Sequence, residues 1–343
     1  MKVIIRISVV LSLLFLYGNA ASGNDTLQYA DLGDFTLESG QTIRDCRMAY
    51  RTFGHLNEAK SNAILFPTWL AGTTQELVDL GLIGPGKLAD SSRYFVVAVD
   101  AFGNGVSSSP SNSKIQPEQT FPQFSIQDMV NAQHLLLTRY LQLSHLHGII
   151  GISMGAMAAY QWMVSYPDFL DKAVAVVGSP RLTSYDRLLW QAELYAADMA
   201  QKDQKNSSTA AKTMAAIHQL HVRTPRYITE NTTPDNFPQF LASLEEGIAR
   251  YNLLNWAWQL KAIIGHDISK RFGKSMEQAA KAVHAKTLIV WAQQDLAVHS
   301  EPAQAFAKLM KSETFMLGGN CGHLAFLCEG EALRDTVKRF LGE

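Results

Sequence analysis

Apolar positions along this chain fall into two rhythms. Residues 63–66, 94–100, 148–151, 173–177 and 287–291 are short runs, apolar almost throughout and bounded by Gly, Pro or polar residues. Runs of that length and composition predict strands buried on both faces. Between several of them the spacing changes to that of a helix. The stretch 125–141 opens with Ser125 as N-cap and Asp128 three residues on. Met129, Val130, Leu135, Leu136 and Leu137 then fall on or near one face. Residues 153–166 predict a second helix, stopped by Pro167. Strands alternating with helices predict an α/β fold, a mostly parallel central sheet with helices on both faces. Residues 28–53 predict an antiparallel entry to that sheet.

One stretch breaks the alternation. From Leu182 to about Ala285 no strand pattern is legible, and the segment is helical and polar with Trp190, Tyr195, Tyr251, Trp256 and Trp258 set into it. An insertion of that length between two sheet strands is too long for a loop. It predicts a helical cap over the strand ends, with 202–209 as an exposed turn. The chain is thus expected to divide into a leader (1–20), the first part of the core (21–181), the cap (182–285) and the second part of the core (286–343).

The leader has Lys2 and Arg6, an apolar run over 9–17 broken only by Ser12, and then Gly18, Asn19 and Ala20. That order predicts a secretory signal cut after Ala20. The run is short for a span of about 20 residues, so no stable membrane span is expected after cleavage. The mature chain is expected to be periplasmic or secreted. Lys plus Arg number 30 and Asp plus Glu 31, a balance that points away from nucleic acid and anionic membranes. The three cysteines are Cys46, Cys321 and Cys328. Cys321 and Cys328 could pair, or all three could be buried thiols; spacing does not choose. There is no C-x-x-C or H-x-x-x-H spacing, so no metal is expected.

The chemistry is concentrated in Gly151-Ile152-Ser153-Met154-Gly155, which follows an apolar strand and opens a helix. A serine on such a strained turn exposes its Oγ, and the flanking positions must be small. A serine hydroxyl needs a base, and the base needs a carboxylate to orient it. Asp295, just past the strand 287–291, and His323, in a glycine-rich loop after the strand-like 314–317, supply both in the order Ser, Asp, His. The oxyanion of a tetrahedral intermediate would be held by the N–H of Met154 and by a second N–H from the loop Pro67-Thr68-Trp69-Leu70-Ala71-Gly72, at Trp69 or Leu70. Ile83-Gly84-Pro85-Gly86-Lys87 lacks the spacing of a phosphate loop and reads as a turn.

Several motifs together carry a family resemblance. They are Ile83-Gly84-Pro85-Gly86-Lys87, Asp100-Ala101-Phe102-Gly103-Asn104-Gly105, Ser107-Ser108-Ser109-Pro110, the Gly151–Gly155 elbow and Gly322-His323-Leu324-Ala325-Phe326. With these the chain resembles the homoserine O-acetyltransferase-like branch of the α/β-hydrolase fold. The resemblance implies the Ser153–Asp295–His323 triad and a helical lid over a deep pocket. Those acetyltransferases usually carry Gly where this chain has Ala156 and Asp where it has Leu324. The sequence around Asp295 also departs from their pattern, and acetyl-CoA and homoserine are cytoplasmic. Water is therefore the expected acceptor, and a small-molecule carboxylic ester the expected substrate, with no cofactor required. A CoA-dependent acyltransferase, and a non-catalytic binding protein on the same fold, are the competing expectations. Esterase is not separable here from amidase or lactonase, and the oligomeric state is left open, a homodimer included.

Overall fold

The computed structural model describes residues 22–202 and 207–342. The expected leader lies outside the described residues, as do positions 203–206 of the polar stretch. The sheet comprises β1 (Gln28–Thr36), β2 (Thr42–Phe53), β3 (Ala63–Pro67), β4 (Phe95–Val99), β5 (Leu146–Ile152), β6 (Leu170–Val176), β7 (Lys286–Ala292) and β8 (Glu313–Leu317). Their spatial order is β1-β2-β4-β3-β5-β6-β7-β8. The first two strands pair antiparallel with each other, and β2 also pairs antiparallel with β4. From β4 to β8 every neighbour is parallel. This is the α/β sheet with an antiparallel entry that the two rhythms predict. In β3 and β4 every residue is buried, as a parallel strand covered on both faces requires.

The helices follow the same logic. Ser125 caps α1 (Ile126–Leu135) by accepting from the Asp128 N–H while the Asp128 carboxylate accepts from the Ser125 N–H. The helix does not remain regular over the expected length, for a π turn spans Leu136–Tyr140. The next helix, α2 (Met154–Ser165), is buried from Met154 to Val164, so it is apolar nearly all round. Between β6 and β7 come α3 (Ser184–Lys202), α4 (Ser207–Val222), α5 (Phe237–Ala249) and α6 (Leu253–Ile264). Among the described residues of this insert there are helices and turns and no strand. After β7, α7 (Glu301–Met310) precedes β8, and α8 (Gly330–Leu341) closes the chain.

His266, just past α6, is buried, and its Nε2 has no hydrogen-bond partner among the described residues. Burial pushes its pKa down to about 4 from 6.5. The folded chain therefore holds this imidazole neutral, whereas the unfolded chain protonates it below about 6.5. Stability associated with this group is full above that pH and is lost as pH falls toward 4, by about 3 kcal/mol. Urea midpoints at pH 7 and pH 4.5 should differ by more in the wild type than in His266→Gln. Equal pH sensitivity in the two proteins would count against this account.

Candidate active site

The elbow is built by close approach. Ser153 lies between β5 and α2 with φ 56° and ψ −120°, left-handed backbone that a non-glycine residue rarely adopts. A Cβ on Gly151 would stand 2.1 Å from the Gly155 carbonyl oxygen, one on Gly155 would stand 2.5 Å from that of Pro67, and one on Gly178 would stand 2.5 Å from the Ala156 side chain. The turn is thus wedged between β3, β6 and its own helix, and none of these glycines can take a side chain unless backbone shifts. The Ser153 N–H donates to the Val176 carbonyl at 2.9 Å, fixing the strained residue to β6.

His323 and Asp295 converge on it. His323 Nε2 lies 2.8 Å from Ser153 Oγ, and His323 Nδ1 lies 2.8 Å from Asp295 Oδ2. An ionised carboxylate only accepts. Nδ1 therefore carries the proton, and Nε2 is left to accept from the serine hydroxyl. The other oxygen of Asp295 accepts from the N–H groups of Ala297 and Val298, each at 2.9 Å. Both Asp295 and His323 are buried. The loop of His323 is stapled by a Cys321–Cys328 disulfide, so the pairing that spacing left open is realised. Cys46 remains a buried thiol, its pKa pushed up to about 12 by burial.

The loop after β3 is braced from three sides. Thr68 donates its N–H to Val99 O at 3.1 Å, and its hydroxyl oxygen accepts from the Ala101 N–H. Asp100 accepts from the N–H and hydroxyl of Thr74, and Asn104 bridges Asp100 to the Gly72 carbonyl. Gln259, on α6 of the insert, accepts from the Ala71 N–H at 2.6 Å and donates to the Phe102 carbonyl at 2.7 Å. The motif around residues 100–104 thus supports this loop. Among the described residues the N–H groups of Trp69 and Leu70 have no partner, whereas those of Thr68 and Ala71 are spent. Met154 opens α2, where first-turn N–H groups lack intrahelical acceptors. The amides expected to face an oxyanion are thus unclaimed. No local sequence signal marks Gln259, which reaches this loop from a helix 188 residues away in the chain. Its side chain is buried, so Gln259→Ala leaves two buried backbone groups unsatisfied. We expect kcat for ester cleavage to fall about tenfold or more with little change in KM, a weaker form of losing an oxyanion donor outright. A change confined to KM would count against the bracing role.

Ser153 and His323 open onto a cavity of about 450 Å³, within the range of small-molecule sites. Its wall includes Trp69 and Leu324 from the core and Trp190, Val222, Ile248 and Trp256 from the insert. Of the five aromatic residues singled out in that segment, Trp190, Tyr251 and Trp256 line the cavity, Tyr195 is exposed, and Trp258 instead donates its indole N–H to Phe121 O. His266 and Asp267 lie away from it. Ile83–Gly84 and Ala89–Asp90 form a short strand pair, with the intervening turn held by Asp90, whose carboxylate accepts from the Gly86 and Ser92 N–H groups.

Known proteins resemble this chain over most of its length. The alpha/beta hydrolase fold family matches residues 83–329. An ethyl acetate hydrolase of Pseudomonas veronii is 30% identical over 332 residues, which cover 91% of this chain and 93% of that protein. A homoserine O-acetyltransferase of Chloroherpeton thalassium is 29% identical over 328 residues, covering 89% and 86%. The structure of an acetylester hydrolase from Corynebacterium glutamicum has a TM-score of 0.85 at 26% identity, covering 92% of this chain and 95% of that one.

Proposed function

This chain belongs to the alpha/beta hydrolase fold family, in the branch that holds the homoserine O-acetyltransferases, and on that premise we propose that it hydrolyses small carboxylic esters through an acyl-enzyme on Ser153. The observation that carries the reading is the hydrogen-bonded line Ser153–His323–Asp295 opening onto a mainly apolar cavity. His323 Nε2 takes the hydroxyl proton as Ser153 Oγ attacks the ester carbonyl. Asp295 keeps the imidazole in the productive tautomer and stabilises its cationic form. The N–H of Met154 and that of Trp69 or Leu70 hold the oxyanion. His323 then gives its proton to the departing alcohol, and water, deprotonated by the same nitrogen, releases the acid. No metal or cofactor enters this cycle.

Two features favour water over an amino-alcohol acceptor. Leu324, beside His323, presents an apolar side chain to the cavity where the acetyltransferases usually have a carboxylate. The ethyl acetate hydrolase also matches more of both chains than the homoserine O-acetyltransferase does. Cleavage of the leader after Ala20 delivers the enzyme to the periplasm or beyond. The Cys321–Cys328 disulfide supports this location, because such bonds persist in oxidising compartments.

The test uses purified mature chain and p-nitrophenyl acetate and butyrate, with and without acetyl-CoA plus homoserine. Ester cleavage with no release of CoA is the expected result. Release of CoA that requires homoserine would replace this reading with the transferase. Inertness in both assays, together with failure to label with a fluorophosphonate, would leave a binding protein.

A further inference from the structure

A second constellation sits in the insert. Glu193 on α3 meets His218 and His221, which lie three apart on α4. Glu193 Oε1 accepts from His218 Nδ1 at 2.9 Å and also hydrogen-bonds to His221 Nε2. The three atoms all lie within 4.8 Å of one another. Glu193 and His221 are buried, whereas His218 is partly exposed and lines the catalytic cavity. The second carboxylate oxygen accepts from Trp256 Nε1 at 3.2 Å. The remaining nitrogen of His221, Nδ1, is buried with no partner. None of these residues takes part in the proposed ester chemistry.

We propose that Glu193, His218 and His221 form a site for one divalent cation of the zinc or cobalt type, with its fourth position open toward the cavity. Two imidazoles and a carboxylate are the donor set such borderline cations take, and three protein ligands with one vacancy is the pattern of an open zinc site. Trp256 orients the carboxylate through its outer oxygen, as supporting hydrogen bonds do around metal ligands. Small rotations of the imidazoles would place all three atoms around one ion, since they already converge on a single oxygen. The H-x-x-H spacing on α4 is not one of those used above to judge metal binding, and the third donor comes from 25 residues upstream on another helix. Sequence therefore gave no warning of the site.

An ion here would join α3 to α4 next to the catalytic loop. A Cβ on Gly322 would stand 3.1 Å from the Val222 carbonyl oxygen, and the Thr224 hydroxyl donates to the Asn320 carbonyl. Occupancy is therefore expected to raise the melting temperature as well as to register directly.

Chelator-treated mature protein would be titrated with Co²⁺ and followed by its visible d–d absorption, and with Zn²⁺ followed by native mass spectrometry. One ion per chain is expected, with intense bands of a low-coordinate cobalt site. His218→Ala should weaken binding at least about tenfold. His323→Ala, which removes the other imidazole at the cavity, should bind as the wild type does. Absence of cobalt bands in the folded wild type would overturn the proposal. So would equal affinity in folded His218→Ala, or loss of binding in His323→Ala. If His218→Ala does not fold, the wild type and His323→Ala titrations decide. None of these readouts depends on esterase activity.

Discussion

Ser153→Ala is expected to lower kcat for ester cleavage by about 10⁵-fold or more and to leave the chain folded. In the proposed mechanism the hydroxyl is the atom that forms the acyl bond, and no neighbouring group can replace it in line with His323 Nε2. Alanine keeps the Cβ and hence the same strained φ of 56°, so the variant should melt close to the wild type. Glycine at the same position removes the hydroxyl and relaxes the strain. Ser153→Gly should therefore be equally inactive yet more stable than Ser153→Ala, by about 1 kcal/mol. Kinetics on p-nitrophenyl butyrate and paired thermal melts measure both effects. Activity in Ser153→Ala within tenfold of wild type would move the nucleophile elsewhere.

The second large effect is expected from Asp295→Asn, a loss of about 10⁴-fold in kcat with the substrate still bound. The reason lies in what the carboxylate touches. One oxygen accepts from two backbone N–H groups, and the other faces His323 Nδ1. An asparagine must place its carbonyl toward the two amides, because only an acceptor fits there. Its NH₂ then points at Nδ1 and can be accommodated only if Nδ1 gives up its proton to Nε2. In that tautomer Nε2 faces Ser153 as a donor and no longer serves as base. Stability should change little, since both amides stay satisfied. An Asp295→Asn enzyme with wild-type kcat would show that His323 does not depend on this carboxylate.

The convergence of Ser153, Asp295 and His323 was legible in the sequence because each member is announced by its own neighbours. Ser153 sits in a glycine-flanked turn after an apolar run, and Asp295 and His323 each follow a strand at the end where open sheets collect their sites. Strands β3 to β7 were legible for the same reason, since a buried parallel strand is apolar over consecutive positions, whereas β8, an edge strand with most of its residues exposed, reads only as strand-like over 314–317. What the sequence did not disclose depends on helices meeting across the insert. Gln259 bracing the loop of Trp69 and Leu70, and Glu193 meeting His218 and His221, are juxtapositions fixed by tertiary packing, and no local pattern encodes them. The disulfide was undecidable for a related reason, because pairing depends on Cα separation after folding. The choice of oxyanion amide stays where the sequence left it, at Trp69 or Leu70, since both remain unclaimed while Thr68 and Ala71 donate elsewhere.

The cavity wall has a consequence for how such an enzyme changes over time. In the proposed reaction the side chains of Ser153, Asp295 and His323 all come from turns and loops at the ends of sheet strands, and the elbow glycines tolerate almost no substitution. Much of the surface that would touch an acyl chain, including Trp190, Val222, Ile248 and Trp256, belongs to one continuous insert. Substrate preference can therefore drift by replacement within that segment, leaving the reaction itself undisturbed. A laboratory library confined to those wall positions should yield altered chain-length preference far more often than loss of turnover, and the insert of one relative grafted onto the core of another is the natural unit of exchange.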